Sequence, residues 1–293
     1  MSEAHPNLRL VDEGPPTFGL PGSGILGPKV LLLGGGGTGK SHSLSTLEKA
    51  GLEVAAIFTE PSGMETLADI TSKEKFHWMY LPPATVSSED QHKAATIINT
   101  MSFQSLTEMG DIAKTSFKHW LNFIAACGNF KCQRCGKEIG GIDKLGRGWA
   151  VALDSLSGMN VMAMNLVVGL KPVKSVGNWG VAMDQMERFV TMFTTGVQCM
   201  GVVTGHLERE TDPNTGASTF QAATLGQKLA PKISRFFSDV ILTRRDGVTF
   251  NWSTGAFGVD LKARNVPISD KLAPDFKPIV EAWQKRIGQE VTK

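Results

Sequence analysis

The chain of 293 residues is long enough for one large α/β domain or two small ones. Hydrophobic residues make up 41% of the sequence and charged residues 20%, which excludes a disordered chain and a coiled coil. The net charge of +2 excludes a general polycation, so a nucleic-acid surface would have to be a local patch. No apolar run approaches the ~20 residues that cross a bilayer, and residues 1–9 lack the apolar segment of a signal peptide. We therefore expect a cytoplasmic protein without membrane association.

Apolar and helical patterns alternate along most of the chain. Residues 1–28 are rich in proline and glycine, which predicts an irregular arm before a domain at 29–293. Strands are predicted at 30–33, 54–58, 78–81, 149–153 and 199–204, and late hairpin strands at 240–243, 248–251 and 259–262. Helices are predicted at 41–50, 87–126 with a break near Gly110, 156–168, 178–195 and 278–287. This alternation predicts an α/β fold, with a mainly parallel sheet flanked by helices and a C-terminal antiparallel hairpin extension.

A glycine-rich segment between the first strand and the first helix fits the pattern G-x-x-x-x-G-K-[ST]. Its glycines let backbone N–H groups turn toward a β-phosphate, and Lys40 can reach the β- and γ-phosphates while the Ser41 hydroxyl binds Mg²⁺. The predicted nucleotide contacts are Gly34, Gly35, Gly36, Gly37, Thr38, Gly39, Lys40, Ser41 and His42. The alternative is a glycine-rich turn with an exposed lysine. The pattern predicts a nucleoside-triphosphate site with ATP and Mg²⁺ as cofactors.

Two carboxylates follow predicted strands and suit the same site. Asp154 ends the strand at 149–153 and can hold Mg²⁺, although it could instead be the N-cap of the next helix. Glu60 ends the strand after the P-loop helix and can orient the attacking water.

These motifs together resemble the RecA-like P-loop ATPases, the class of recombinases and ring helicases. Glu60 lies where RecA-like proteins carry their acid, and Asp154-Ser155 resembles the aspartate–serine step of their strand. His206 ends a strand that resembles the one with the γ-phosphate sensor, where many recombinases have glutamine. Lys262-Ala-Arg264-Asn resembles the K-x-R-N segment with which ring helicases touch the neighbouring subunit's nucleotide.

The resemblance spans about residues 29–265, and in motif order and spacing it is closest to the reduced phage-encoded RecA-like ATPases of single-strand annealing and recombination. It implies a RecA-like P-loop NTPase core and a homo-oligomer, either ring or filament, in the cytoplasm of a bacterial host. A single-strand-binding protein is a further candidate partner. The implied catalytic residues are Lys40, Glu60, Asp154, His206, Lys262 and Arg264.

RecA-like recombinases bind single-stranded DNA through two loops, which correspond here to residues 169–180 and 207–224. The first contains Lys171, Lys174 and Trp179, which offer two charges for phosphates and one stacking face for a base. The second contains Arg209 among a majority of acids. The alternative for both is an ordinary solvated loop, with Trp179 opening the core face of the next helix.

A cysteine cluster precedes the Asp154 strand. Cys132 and Cys135 form a C-x-x-C-G knuckle, and Cys127 and His119 could complete a Zn²⁺ site in an insertion at about 119–148. A redox dithiol and free thiols are the alternatives.

These features predict an ATP-dependent, single-stranded-DNA-binding RecA-like protein in phage-type recombination or single-strand annealing, with DNA-stimulated ATP hydrolysis. One alternative is a hexameric helicase or translocase motor with the same core. Another is a nucleotide-dependent switch that binds protein and no DNA.

Overall fold

A computed structural model of the chain describes residues 26–61, 65–66, 68, 74–82, 86–110, 114, 117–211, 216 and 218–288. The arm predicted at 1–28 lies outside these residues except for 26–28. Within the part of the chain that the structure describes, every helix is too short or too polar to span a bilayer.

Short strands and helices alternate along the described chain. The strands are β1 Lys29–Leu33, β2 Glu53–Phe58, β3 Phe76–Tyr80, β4 Phe130–Lys131, β5 Glu138–Gly140, β6 Trp149–Asp154, β7 Met200–Gly205, β8 Leu207–Thr211, β9 Ser218–Ala222, β10 Asp239–Asp246 and β11 Thr249–Ser253. The helices are α1 Lys40–Ser43, α2 Ser45–Lys49, α3 Ser88–Thr100, α4 Phe103–Glu108, α5 His119–Gly128, α6 Leu156–Val168, α7 Val176–Gly196, α8 Gly226–Ile233 and α9 Lys277–Arg286.

Seven strands form one sheet in the order β11-β10-β1-β7-β6-β2-β3. The neighbouring strands run parallel except for the antiparallel hairpin of β10 and β11. All five residues of β1 are buried, as expected for a parallel strand covered on both faces. The predicted fold class is confirmed: an α/β fold with a mainly parallel sheet, flanking helices and an antiparallel hairpin near the C-terminus.

Each face of the sheet has its own hydrophobic core. Leu31 and Leu33 of β1 face the layer formed by α5, α6 and α7. Val30 and Leu32 face the opposite way and pack with α2 and α9. The two cores keep the sheet rigid, which holds the ends of its strands in fixed positions.

The carboxyl ends of four parallel strands meet at one edge of the sheet. Leu33 of β1 pairs with Gly205 of β7, and Phe58 of β2 pairs with Asp154 of β6. Ligands of parallel α/β sheets bind at this edge, because the loops and helix N-termini that follow the strands converge there.

Three predicted elements differ from the structure. The region 87–126, predicted as two helices, holds the three helices α3, α4 and α5. The predicted break near Gly110 is present. A further break precedes α4, whose N-cap is Ser102, because the Ser102 side chain accepts a hydrogen bond from the Ser105 N–H. The predicted strand at 259–262 forms isolated bridges only, from Val259 to Phe220 and from Lys262 to Val240.

The third difference concerns the predicted DNA loops. Helix α7 begins at Val176, inside the predicted loop 169–180, because Ser175 and Asn178 form a capping box. Residues 207–211 and 218–222 of the second predicted loop are the antiparallel strands β8 and β9.

Candidate functional site

The P-loop joins β1 to α1 at the carboxyl edge of the sheet. Gly39 has a φ of 84°, a left-handed conformation that glycine adopts without strain. A Cβ at Gly34 would lie only 2.1 Å from the hydroxyl of Thr243, so β10 can approach the loop closely. The Thr38 hydroxyl is 2.7 Å from the Thr243 hydroxyl and fixes the loop against that strand.

The Lys40 ammonium is held inside the loop. It donates to the carbonyl oxygens of Gly34 at 2.9 Å and Gly35 at 2.7 Å, and the residue is only 7% exposed. Burial lowers the pKa of Lys40, while the charges of Asp154 and Glu60 oppose that shift. Phosphate oxygens accept stronger hydrogen bonds than amide carbonyls, so a bound triphosphate can take over this ammonium.

Asp154 provides a buried carboxylate beside the P-loop. Its Oδ1 accepts a hydrogen bond from the Thr204 hydroxyl, and the Ser41 side chain lies close enough to lower the pKa of the carboxyl. Its Oδ2 is buried without a hydrogen-bond partner. Burial raises the pKa of Asp154, and the bonds from Ser41 and Thr204 partly offset the rise.

These groups fit Mg²⁺. A buried, unpartnered carboxylate oxygen next to a serine hydroxyl is the oxygen environment that a hard divalent cation prefers. The alternative in which Asp154 is only an N-cap is wrong, because Ser155 caps α6 by accepting from the Ser157 N–H at 3.1 Å.

Glu60 lies beside this group, directly after β2. Its Oε1 accepts from the Ser155 hydroxyl at 2.7 Å, and its Oε2 is 3.8 Å from Nε2 of His206. The Thr59 hydroxyl bonds to the backbone of Ser155, whose peptide bond with Asp154 is cis. Glu60, Ser155 and His206 therefore form a polar group at the carboxyl ends of three strands.

One aromatic residue beside the P-loop, Phe250, was not predicted from the sequence to lie at the site. Phe250 of β11 lies under the P-loop, so that a Cβ at Gly39 would be 3.0 Å from its ring, and the Arg245 guanidinium stands 5.5 Å from the ring centroid. The sequence predicted the β10–β11 hairpin but not its position beside β1, which brings Phe250 to the P-loop.

Lys262 and Arg264 lie near the opposite edge of the sheet. The Lys262 ammonium donates to the carbonyl oxygens of Ser234 at 3.0 Å and Phe237 at 3.3 Å. The Arg264 backbone N–H donates to Asp239, which pairs with Val30 at the start of β1. Neither residue lies beside the P-loop of its own chain, so contact with a nucleotide would require a second copy.

Two of the predicted DNA residues line one cavity of about 380 Å³ between α7, α8 and the β8–β9 hairpin. Trp179 and Arg209 both face it, and the Lys174 ammonium stands 5.5 Å from the Trp179 ring centroid. Lys171 follows α6 and is not among the lining residues. The hairpin begins directly after His206, whose carbonyl accepts from the Ala223 N–H at 2.8 Å.

The structure corrects the predicted metal ligands. His77, Cys132 and Cys135 place their donor atoms within 4.8 Å of one another, the one such group found among the described residues. Cys127 instead lies in the hydrophobic core on α5, where burial raises the pKa of its thiol to about 12. His119 begins α5 and is also outside the group. Sequence spacing could not identify His77, because it lies on β3, far from the knuckle in the chain.

The comparisons with known proteins include a distant likeness to a solved structure. No protein-family model and no curated protein matches the chain. A solved structure described as "a prototypical ATPase from the type III secretion system of pathogenic bacteria" is similar over 75% of this chain, with 10% identity and a TM-score of 0.39. The match covers 53% of that chain, so the present chain spans about half its length.

Proposed function

We propose that the protein is a RecA-like ATPase that binds single-stranded DNA and acts as an oligomer in phage-type recombination or annealing in the cytoplasm of a bacterial host. The observation that carries the ATPase part is the convergence of Lys40, Ser41, Asp154 and Glu60 at one edge of a parallel sheet. A motif in isolation could be a glycine-rich turn. Four side chains of the required chemistry, brought together from three strands, support a nucleotide site.

Each residue has a distinct role in the proposed hydrolysis. The P-loop N–H groups and Lys40 bind the β- and γ-phosphates, and Ser41 and Asp154 hold Mg²⁺, which supplies positive charge to the phosphates. The Ser155 hydroxyl fixes the Glu60 carboxylate, which orients the attacking water. His206 lies 3.8 Å from Glu60, which places its imidazole where it could sense the γ-phosphate.

DNA binding is proposed for the cavity that Trp179 and Arg209 line. A base can stack on the indole, and Lys174 and Arg209 provide positive charge for phosphates beside the carboxylates of Glu208 and Glu210, which also line the cavity. Because the β8–β9 hairpin starts at His206, nucleotide state and DNA binding would be linked through a single residue.

The test measures ATP hydrolysis with and without single-stranded DNA. We expect DNA to stimulate the wild type, Lys40→Ala to abolish turnover, and the double variant Lys174→Ala/Arg209→Ala to lose stimulation while keeping the basal rate. Removing two phosphate contacts should flatten the slope of log affinity against log salt by about 1.4. The matched control removes two exposed lysines from α9, Lys277 and Lys285, and should behave as the wild type.

Other outcomes would support the other functions. Strand displacement of a duplex driven by ATP would favour the helicase or translocase motor. Hydrolysis that no DNA affects would contradict the DNA-binding proposal and favour a nucleotide-dependent switch that binds protein.

A further inference from the structure

Residues 132–135 run along the outer edge of β3, the last strand of the main sheet. The Gln133 side chain accepts from the Tyr80 N–H at 2.9 Å and donates to the Tyr80 carbonyl at 3.1 Å. The Gln133 N–H donates to the Trp78 carbonyl at 2.9 Å, and Arg134 donates to the Phe76 carbonyl at 2.6 Å. The segment therefore takes the place of a neighbouring strand for the outward-facing groups of β3.

The two knuckle cysteines are positioned by this contact. Backbone N–H groups of Cys135, Trp78 and Arg134 point at the Cys132 sulfur. Such N–H groups are hydrogen-bond partners of a thiolate, the form that binds a metal.

His77 of β3 completes a group of three donors. Its Nδ1 is 3.5 Å from the Cys135 sulfur, and its Nε2 points toward Glu53, 3.7 Å from the carboxylate. The residue is only 2% exposed, and its Nε2 has no hydrogen-bond partner. An imidazole with one nitrogen toward a metal and the other toward a carboxylate is the usual arrangement of a ligating histidine.

We propose that His77, Cys132 and Cys135 bind a zinc ion that fastens the segment 132–135 to the outer edge of β3. Two thiolates and an imidazole are soft and borderline ligands that suit Zn²⁺ and exclude the hard ions Mg²⁺ and Ca²⁺. A tetrahedral zinc takes four ligands, and the exposed position of Cys135 leaves the fourth place open to water. This site lies apart from the P-loop and does not depend on the proposed ATPase function.

The primary test is the zinc content of full-length protein purified without chelator. We expect about one zinc per chain in the wild type. Cys135→Ser and His77→Gln should each lose most of it. The matched controls are Cys127→Ala and His119→Gln, which replace the same residue types nearby and should keep the wild-type content.

A second measurement covers the case in which His77→Gln fails to fold. Cobalt(II) added to metal-free wild type should give a sulfur-to-cobalt charge-transfer band. Cys135→Ser, which changes an exposed side chain, should weaken this band, and Cys127→Ala should leave it unchanged.

Several results would overturn the proposal. Wild type with no zinc and no cobalt band would exclude the site. Equal zinc in wild type, Cys135→Ser and folded His77→Gln would assign the ion elsewhere. Loss of zinc in Cys127→Ala and His119→Gln, with zinc retained in folded His77→Gln, would favour the ligand set that the sequence predicted.

Discussion

A buried lysine outside the nucleotide site provides a quantitative test of the structure. Lys29, at the start of β1, is only 4% exposed, and its ammonium donates to the carbonyls of Gly27 at 2.7 Å and Cys199 at 2.8 Å. Both acceptors are neutral carbonyls, and the coulombic contribution of Cys199 offsets only part of the desolvation. Burial accordingly lowers the pKa of Lys29 to about 8 from the ordinary value of 10.5.

This shift predicts how the free energy of unfolding depends on pH. Below about pH 8 the lysine is charged in both states, and the folded state carries the full penalty of about 3 kcal/mol. Above that pH the folded amine loses its proton while the unfolded one keeps it. The unfolded state then binds more protons, so the stability rises with pH until about pH 10.5. Between about pH 7 and about pH 10 the gain from Lys29 is about 2 kcal/mol.

Lys29→Met removes the titrating group. The assay is denaturant unfolding of the wild type and the variant at several pH values in this range. The free energy of unfolding of the wild type should rise relative to that of Lys29→Met by about 2 kcal/mol, whereas the exposed control Lys49→Met should follow the wild type. Parallel curves for wild type and Lys29→Met would refute the reasoning.

Two further predictions concern the proposed ATPase. Glu60→Gln should keep ATP binding, measured with a fluorescent analogue, and reduce hydrolysis about 10²-fold or more, because the amide orients water poorly; turnover at the wild-type rate would mean that another group serves. Arg264→Ala and Lys40→Ala should each be inactive but recover part of the activity when mixed, if the arginine acts on the nucleotide of a second copy. Absence of recovery from variants shown to assemble together would contradict a role in trans.

The sequence predicted those features that depend on local patterns. The apolar runs located five of the parallel strands to within about two residues, namely β1, β2, β3, β6 and β7. The P-loop pattern identified the segment before α1. Asp154 was predictable because a polar residue that ends a buried strand stands out from the run before it. The helix 156–168 was predicted with its observed bounds because Gly169 directly follows its last apolar residue and ends the helix.

What the sequence could not predict depends on contacts between distant segments. His77 reaches the knuckle because β3 lies at the edge of the sheet, and nothing near His77 in the chain indicates that position. The interpretation of residues 169–180 as a loop missed the capping box of Ser175 and Asn178, a signal that was present in the sequence. The resemblance to the K-x-R-N segment implied that Lys262 and Arg264 touch a neighbouring subunit's nucleotide, whereas the Lys262 ammonium binds two carbonyls of its own chain.

The covered edge of β3 limits how copies of this chain can assemble. A strand whose outward N–H and C=O groups were free could pair with a strand of another molecule and extend the sheet from one copy to the next. At β3 those groups of Trp78 and Tyr80 are already bonded within the chain. An oligomer that joined copies along this edge would first have to displace Gln133. A contact between copies at this edge would therefore use side-chain surfaces, which can open and close without breaking a backbone ladder.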